Sequence, residues 1–321
     1  MRSLWVLLMI FLNALNSSAQ VNLLKDPSFS RGFSVYMVED GVPNLPLTIK
    51  KIIVVDSNQI DAPVWQLAQW NNYNNKIENA VYSKQKGIDI YITRFGNEFR
   101  IDTANRLLRL TLNTSSEYGK NEVSPDNPRK EGQKWPHLLI SQDIENPAGR
   151  LANLRSVEMQ VTYAILAVEN NHSKKNFNKN LHSAQFQWFL SIKNNNQASA
   201  GFGDYFWFGL SLYDFRHQFA PQYANKDFNT TAKFIYMPDM KEVLGENNAS
   251  KVGSKGQMLK YNVFPEIKKA FLLAKENGFL KDSQWEDLHI SHCNIGWEVP
   301  GSFDVSAQIQ DLGIMLTELH N

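Results

Sequence analysis

Glu298 stands in the segment Cys293-Asn294-Ile295-Gly296-Trp297-Glu298-Val299-Pro300-Gly301, where strand alternation points a carboxylate at a polar surface. From Leu288 to Val299, one face carries His292, Asn294, Gly296 and Glu298, and the other carries Cys293, Ile295, Trp297 and Val299. A carboxylate placed this way can act as a general acid, a base or a nucleophile, or it can hydrogen-bond a ligand hydroxyl. It can equally be a solvated glutamate on an exposed strand. Glu158 shares a face with Gln160 and Thr162, opposite Met159, Val161, Tyr163 and Ile165. Glycoside hydrolysis uses two carboxylates, about 5–5.5 Å apart for retention and about 6.5–9.5 Å apart for inversion. Glu158 is the expected catalytic partner of Glu298.

Binding residues are expected beside them. Along Tyr205–Phe215 the sequence puts Tyr205, Trp207, Gly209, Ser211 and Tyr213 on one face and Phe206, Phe208, Leu210 and Leu212 on the other. The flat rings of Tyr205 and Trp207 are surfaces on which a pyranose can stack, although aromatic strips at this spacing are more often packing. Gln185 and Gln187 share a face opposite Phe186, Trp188 and Leu190, which fits a ligand-binding sheet with outward amides. His292 and Asn294 complete the expected substrate-binding set with Tyr205, Trp207, Gln185 and Gln187.

Other chemistries find little support. His289 and His292 are expected on opposite faces of a strand, which disfavours a shared ion, so no metal and no cofactor is expected. Gly201-Phe202-Gly203 lacks the helix start that phosphate binding requires and reads as a turn. There is no Gly-x-Ser-x-Gly elbow, and the lone Cys293 lies inside a strand. His137, in Trp135-Pro136-His137-Leu138, can be catalytic, though a satisfied core or rim histidine is the commoner case.

The elements that must position these residues are short apolar runs separated by connectors rich in Asn, Gly, Ser and Asp. Strands are expected at 51–56, 87–95, 106–112, 137–142, 157–168, 184–192, 205–215, 232–236, 288–299 and 303–317. One principal helix is expected over Pro265–Glu276, with Ile267, Ala270, Phe271 and Ala274 on one face, Pro265 at its start and Gly278 past its end. This pattern predicts an all-β fold, a two-sheet antiparallel jelly-roll sandwich with a single main helix. Residues 20–112 form an N-terminal β segment that either belongs to the same sandwich or stands apart. A polar loop covers 113–134, and 135–321 supplies the C-terminal part of the sandwich.

Composition bounds the setting. Arg2, the apolar run Leu4–Leu15 and the small residues of Asn16-Ser17-Ser18-Ala19 read as a signal peptide over residues 1–19, so the protein is expected to be secreted or periplasmic. No run is long enough for a transmembrane segment. The chain has 33 basic and 32 acidic side chains, and removal of Arg2 leaves 32 of each. A balance near zero argues against nucleic acid as partner and is compatible with a neutral glycan. With one cysteine there is no intramolecular disulfide, so the core must carry the stability.

From Tyr261 to Ile314 the order of helix, Gly296-Trp297-Glu298 strand, glycine and last strand resembles the small jelly-roll endoglucanases of the concanavalin-like class. That resemblance implies an acid/base role for Glu298. The family's nucleophile strand corresponds to Asp204–Leu212, where Phe206 occupies the position of the glutamate. Arg155…Glu158, Gln185-Phe186-Gln187 and Tyr205-Phe206-Trp207-Phe208-Gly209 follow the strand order of alginate-lyase-like jelly rolls, without the His and Lys of that pattern. Both resemblances imply a polysaccharide-directed β-sandwich: a glycoside hydrolase, a non-catalytic carbohydrate-binding or cell-envelope protein of the same fold, or a polysaccharide lyase.

Overall fold

The computed structural model describes residues 20–37, 48–55, 61–118, 128–227 and 231–319. The segment 1–19 read as a signal peptide lies outside the described residues, as do 119–127 of the polar loop. Seventeen strands and two α-helices occur among the described residues. In chain order they begin with β1 (Val21–Asn22), β2 (Phe33–Met37), β3 (Thr48–Ile53), β4 (Trp65–Ala68), β5 (Val81–Gln85), β6 (Ile88–Ile92), β7 (Glu98–Asp102) and β8 (Leu107–Asn113). There follow β9 (His137–Asp143), β10 (Leu154–Asn170), β11 (Gln185–Asn194), β12 (Tyr205–Asp214), β13 (Tyr223–Lys226) and β14 (Phe234–Met237). The chain ends with α1 (Met240–Leu244), β15 (Gln257–Asn262), α2 (Phe264–Glu276), β16 (Leu288–Glu298) and β17 (Phe303–Glu318).

The strands form two sheets. One runs β15-β10-β17-β8-β7-β6-β5, with β1 also paired to β17, and the other runs β13-β14-β12-β11-β16-β9-β4-β2-β3. Pairing is antiparallel except for β2 with β4 and β12 with β14, which run parallel. The fold is therefore the all-β two-sheet sandwich that the alternation predicts. Strands of 20–112 enter both sheets, and Phe33, Trp65, Phe99 and Leu110 share one hydrophobic cluster with Trp188, Trp297 and Ile309. Helix α2 buries Ile267, Ala270, Phe271 and Ala274, the face its spacing dictates, with a proline in its first turn and Gly278 at φ 82° beyond its end.

Trp297 ties the layers together. It is fully buried on β16, and its Nε1–H donates to the carbonyl of Leu110 on β8 in the opposite sheet at 3.1 Å. Phe186 and Tyr213 pack edge-on against the indole at 5.1 and 6.3 Å. Next to it, a Cβ on Gly296 would collide with the Leu138 carbonyl oxygen and reach the Leu139 Cα at 2.8 Å, so glycine lets β9 and β16 approach. The strand that carries Glu298 is thus fixed from both faces.

Truncation at Trp297 removes a cross-sheet hydrogen bond and leaves a cavity. Trp297→Ala is expected to lower stability by about 3–5 kcal/mol, measured by urea unfolding. A loss below about 1 kcal/mol would show that the two layers do not depend on this side chain.

Candidate functional site

The outer face of the nine-stranded sheet holds a cleft of about 440 Å³. Strand register explains which residues reach it, because residues directly opposite in adjacent strands share a face. Glu298 lies between His137 on β9 and Gln185 on β11, and Gln185 lies in turn beside Asp214 on β12. One step along, Leu139, Gly296, Gln187 and Ser211 form the next row; Ser141, Asn294, Phe189 and Gly209 form the third. Trp70, which follows β4, and Trp135, which precedes β9, close one end, and Trp207 stands toward the other. The Phe189 ring occupies the space that a Cβ on Gly209 would take, and it meets Trp207 edge-on at 6.2 Å.

Glu298 and His137 form the polar centre. His137 Nε2 is 3.4 Å from Glu298 Oε2, and Nδ1 lies 2.8 Å from the Trp135 carbonyl oxygen. A carbonyl only accepts, so Nδ1 carries the proton of the neutral ring and Nε2 presents a lone pair to the carboxyl. The contact is attractive only with a proton on one of the two groups. A proton on either group would bridge the two at the cleft surface. Trp70 and Trp135 enclose His137, with ring centroids at 5.3 and 5.9 Å.

A β-bulge decides the far side. Phe186 pairs with Tyr213 but Gln187 pairs with Ser211, so Leu212 is an extra residue and the alternation of β12 reverses there. Tyr213, expected on the cleft face with Tyr205 and Trp207, instead packs against buried Trp297. Asp214 takes the cleft side. Its Oδ1 accepts from Ser183 Oγ, Arg216 N and Arg216 Nε, each at 2.9 Å, and its Oδ2 from Arg216 Nη2 at 2.6 Å and Gln185 Nε2 at 3.0 Å. Burial acts to raise the Asp214 pKa, but the Arg216 hydrogen bonds and charge outweigh it and hold the carboxyl below its ordinary value. With five donors, Asp214 is a satisfied anchor rather than a free base.

The floor contains polar side chains with nothing to bind. Gln187 and Asn294 are 4% and 6% exposed, and neither side chain has a hydrogen-bond partner among the described residues. Ser211, 3% exposed beside Gln187, also has an unpartnered Oγ, as do the indole nitrogens of Trp70 and Trp135. Buried amides are normally bonded, so unpaired ones facing a cleft mark where ligand or water must supply the partner.

Among the residues expected from sequence, Glu298, Gln185, Gln187, Asn294 and Trp207 line the cleft. Tyr205 adjoins it, edge-on to Trp207 at 5.6 Å with the Lys233 ammonium 5.1 Å over its ring. His292 lies six residues from Glu298, about 20 Å along the strand, yet its ring also adjoins the cleft, edge-on to Trp207 at 6.2 Å, and its Nδ1 is 2.8 Å from Asp143 Oδ1. A bulge at Ser291 places His289 opposite Lys193 and His292 opposite Ser191, on the same outer side, with Ile290 and Cys293 buried, which corrects the expected opposition. His289 Nδ1 faces the Asp287 carbonyl instead, and no group of three metal-ligating side chains occurs among the described residues.

Glu158 is not the partner of Glu298. It lies on β10 in the eight-stranded sheet, its face is the outer one of that layer, and it pairs with Lys260 at 3.2 Å. The core of the sandwich separates the two carboxylates. Alternation within β10 is as read, but sheet membership depends on pairing with β15 and β17, which no local pattern reveals. Sequence reasoning also missed Trp70, Phe189 and Asp214. His137 was visible as a histidine, but its neighbour is 161 positions away.

No protein-family model matches the chain, and no curated protein matches it significantly. Solved structures similar to it include the endoglucanase Cel12A of Rhodothermus marinus, at 8% identity and TM-score 0.40, covering 75% of this chain and 97% of that one. A family 12 xyloglucanase of Bacillus licheniformis matches at 10% identity and TM-score 0.42, covering 75% and 98%. The xyloglucanase domain of NopAA from Sinorhizobium fredii, solved with cellobiose, matches at 7% identity and TM-score 0.38, covering 75% and 98%.

Because Asp214 is ionised and held by Arg216, its contribution is present above the ordinary carboxylate pKa and is lost as pH falls through its depressed value. Asp214→Asn is expected to cost about 1–3 kcal/mol at neutral pH, and the gap to wild type should close in acid. A gap that stays constant with pH in chemical unfolding would show that the charge contributes nothing.

Proposed function

We propose that the cleft binds a hydroxyl-rich polysaccharide chain, with Glu298 and His137 as its proton-bearing centre. The observation that carries this reading is a cleft lined together by the amides of Gln187 and Asn294 and the indoles of Trp70, Trp135 and Trp207. An amide offers a donor and an acceptor side by side, which suits sugar hydroxyls, and indole faces stack on pyranose rings. Charge supports a neutral glycan, since Arg216 and Asp214 cancel within one ion pair. The segment 1–19 would deliver the protein outside the cytoplasm, where such chains occur.

Binding is favoured over hydrolysis by the lack of a second available carboxylate. Among the described residues lining the cleft, the carboxylates are Glu298, Asp214 and Asp227. Asp214 is saturated, and Asp227 follows β13, beyond β11, β12 and β14 from Glu298, toward the Tyr205 end. Hydrolysis is the second reading, supported by the contact of His137 Nε2 with Glu298 Oε2 at 3.4 Å, across which a proton would pass for donation to a leaving oxygen.

Affinity gels of several neutral polysaccharides, run beside an assay of reducing-end release, separate the readings. Retardation without release is the expected result. Trp207→Ala and Gln187→Leu should each weaken retardation about tenfold, equivalent to about 1.4 kcal/mol, with little change in melting temperature. Release that disappears in Glu298→Gln would establish the hydrolase, and neither retardation nor release would sink the glycan reading.

A further inference from the structure

Beside the cleft, His172 and His182 stack face to face with ring centroids 4.2 Å apart and 15° between their planes. Their hydrogen bonds assign every ring nitrogen. His182 Nε2 faces the Arg129 carbonyl oxygen at 2.8 Å and must donate, while its Nδ1 accepts from the Asn178 N–H at 3.1 Å. His172 Nε2 accepts from the Ser302 N–H at 3.1 Å, so its proton sits on Nδ1 and is donated to Asn170 Oδ1 at 2.7 Å. Each ring thus uses a lone pair that exists only in the neutral form. Protonation would turn each acceptor into a donor facing an N–H, and would set two cations in contact.

Arg129 joins this stack to the cleft. Its carbonyl receives the His182 proton, its Nε–H donates to the Gln133 carbonyl at 2.7 Å, and its Nη1 donates to the Leu181 carbonyl at 3.1 Å. The guanidinium lies 4.8 Å over the Trp135 ring. Trp135 then stacks on His137 and accepts the His137 Nδ1 proton, which fixes the tautomer that meets Glu298.

We propose that the His172–His182 stack is a pH-sensitive clamp that positions Trp135 over the Glu298–His137 pair, engaged while both imidazoles are neutral and released when acid protonates them. Its consequence for ligand rests on the glycan-binding reading; the clamp itself needs no ligand. Burial, and then the neighbouring His182, hold the His172 pKa down to about 4, and burial also lowers that of His182 against the opposing Arg129 hydrogen bond. The charged group facing the stack is Arg129, which in turn faces Tyr118, and Phe177 and Phe303 form the remaining walls. No carboxylate among the described residues acts on either imidazole to offset a new positive charge. A histidine depressed in the folded state binds protons more readily when unfolded. The clamp therefore contributes fully above the ordinary histidine pKa and loses that contribution as pH falls toward about 4.

The test follows the Trp135 indole N–H, assigned with Trp135→Phe, and the imidazole C–H signals of the full chain by NMR from about pH 7 to about pH 3, so that the His172 transition is crossed. The Trp135 signal is expected to shift or broaden along the same curve as His172 and His182. In the double variant His172→Gln/His182→Gln, which keeps amide donors and acceptors without the charge, Trp135 should hold still. Trp135 moving identically in that variant would assign the change to His137 or Glu298 and overturn the clamp. If the variant does not fold, the wild-type curves decide, and a Trp135 transition displaced by more than about one pH unit from both histidines overturns it. Hydroxyethyl-cellulose affinity gels over the same range should lose retardation in parallel. Coincident NMR transitions without retardation at neutral pH would support the clamp and retire the glycan reading.

Discussion

The indole of Trp297 sets the separation and register of the two layers, and the cleft inherits its geometry from that constraint. Its N–H reaches across the core to Leu110, so β16 cannot slide or rotate against the eight-stranded sheet without losing a buried hydrogen bond. Because side chains alternate, anchoring Trp297 inward forces Glu298 and Gly296 outward. Gly296 then lets β9 close on β16, which brings His137 opposite Glu298. One buried ring and one missing Cβ thus place Glu298 and His137 side by side.

A second constraint comes from irregularity in the ladder. The extra residue at Leu212 turns Tyr213 into a core ring against Trp297 and delivers Asp214 to the cleft wall. The bulge does two jobs with one insertion, since the carboxylate it exposes fixes both Arg216 and Gln185. A similar shift at Ser291 brings His289 to the same side as His292. Bulges of this kind redirect single side chains while leaving the hydrophobic face continuous, which is why they recur beside sites.

The electrostatics of the cleft are local and largely cancelled. Asp214 is neutralised by Arg216, Asp143 meets His292 Nδ1 at 2.8 Å at the other end of β9, and Glu298 faces His137 Nε2 at 3.4 Å. What remains open is hydrogen-bonding capacity, in Gln187 and Asn294, and aromatic area, in Trp70, Trp135 and Trp207. Arg129 lies over the Trp135 ring and its carbonyl accepts from His182, which stacks on His172, so the aromatic wall and the two imidazoles belong to one connected arrangement.

Local periodicity was enough to determine the strand faces. The inward set Cys293, Ile295, Trp297 and Val299, the outward set Gln185, Gln187, Asn294 and Glu298, and the buried stripe of α2 all follow from side-chain spacing, because burial acts on neighbours two or three to four residues apart. Strands β1, β2, β4, β5, β7, β13 and β15 lay outside the expected set, because each has at most six residues, too few for periodicity to mark a strand. Sheet membership was equally hidden: it separated Glu158 from Glu298 and joined His137 to Glu298. The bulge at Leu212, invisible to an alternating pattern, exchanged Tyr213 for Asp214. Faces are a local property of the backbone, whereas neighbours across a sheet are chosen by the packing of the whole core, and the site is made of neighbours.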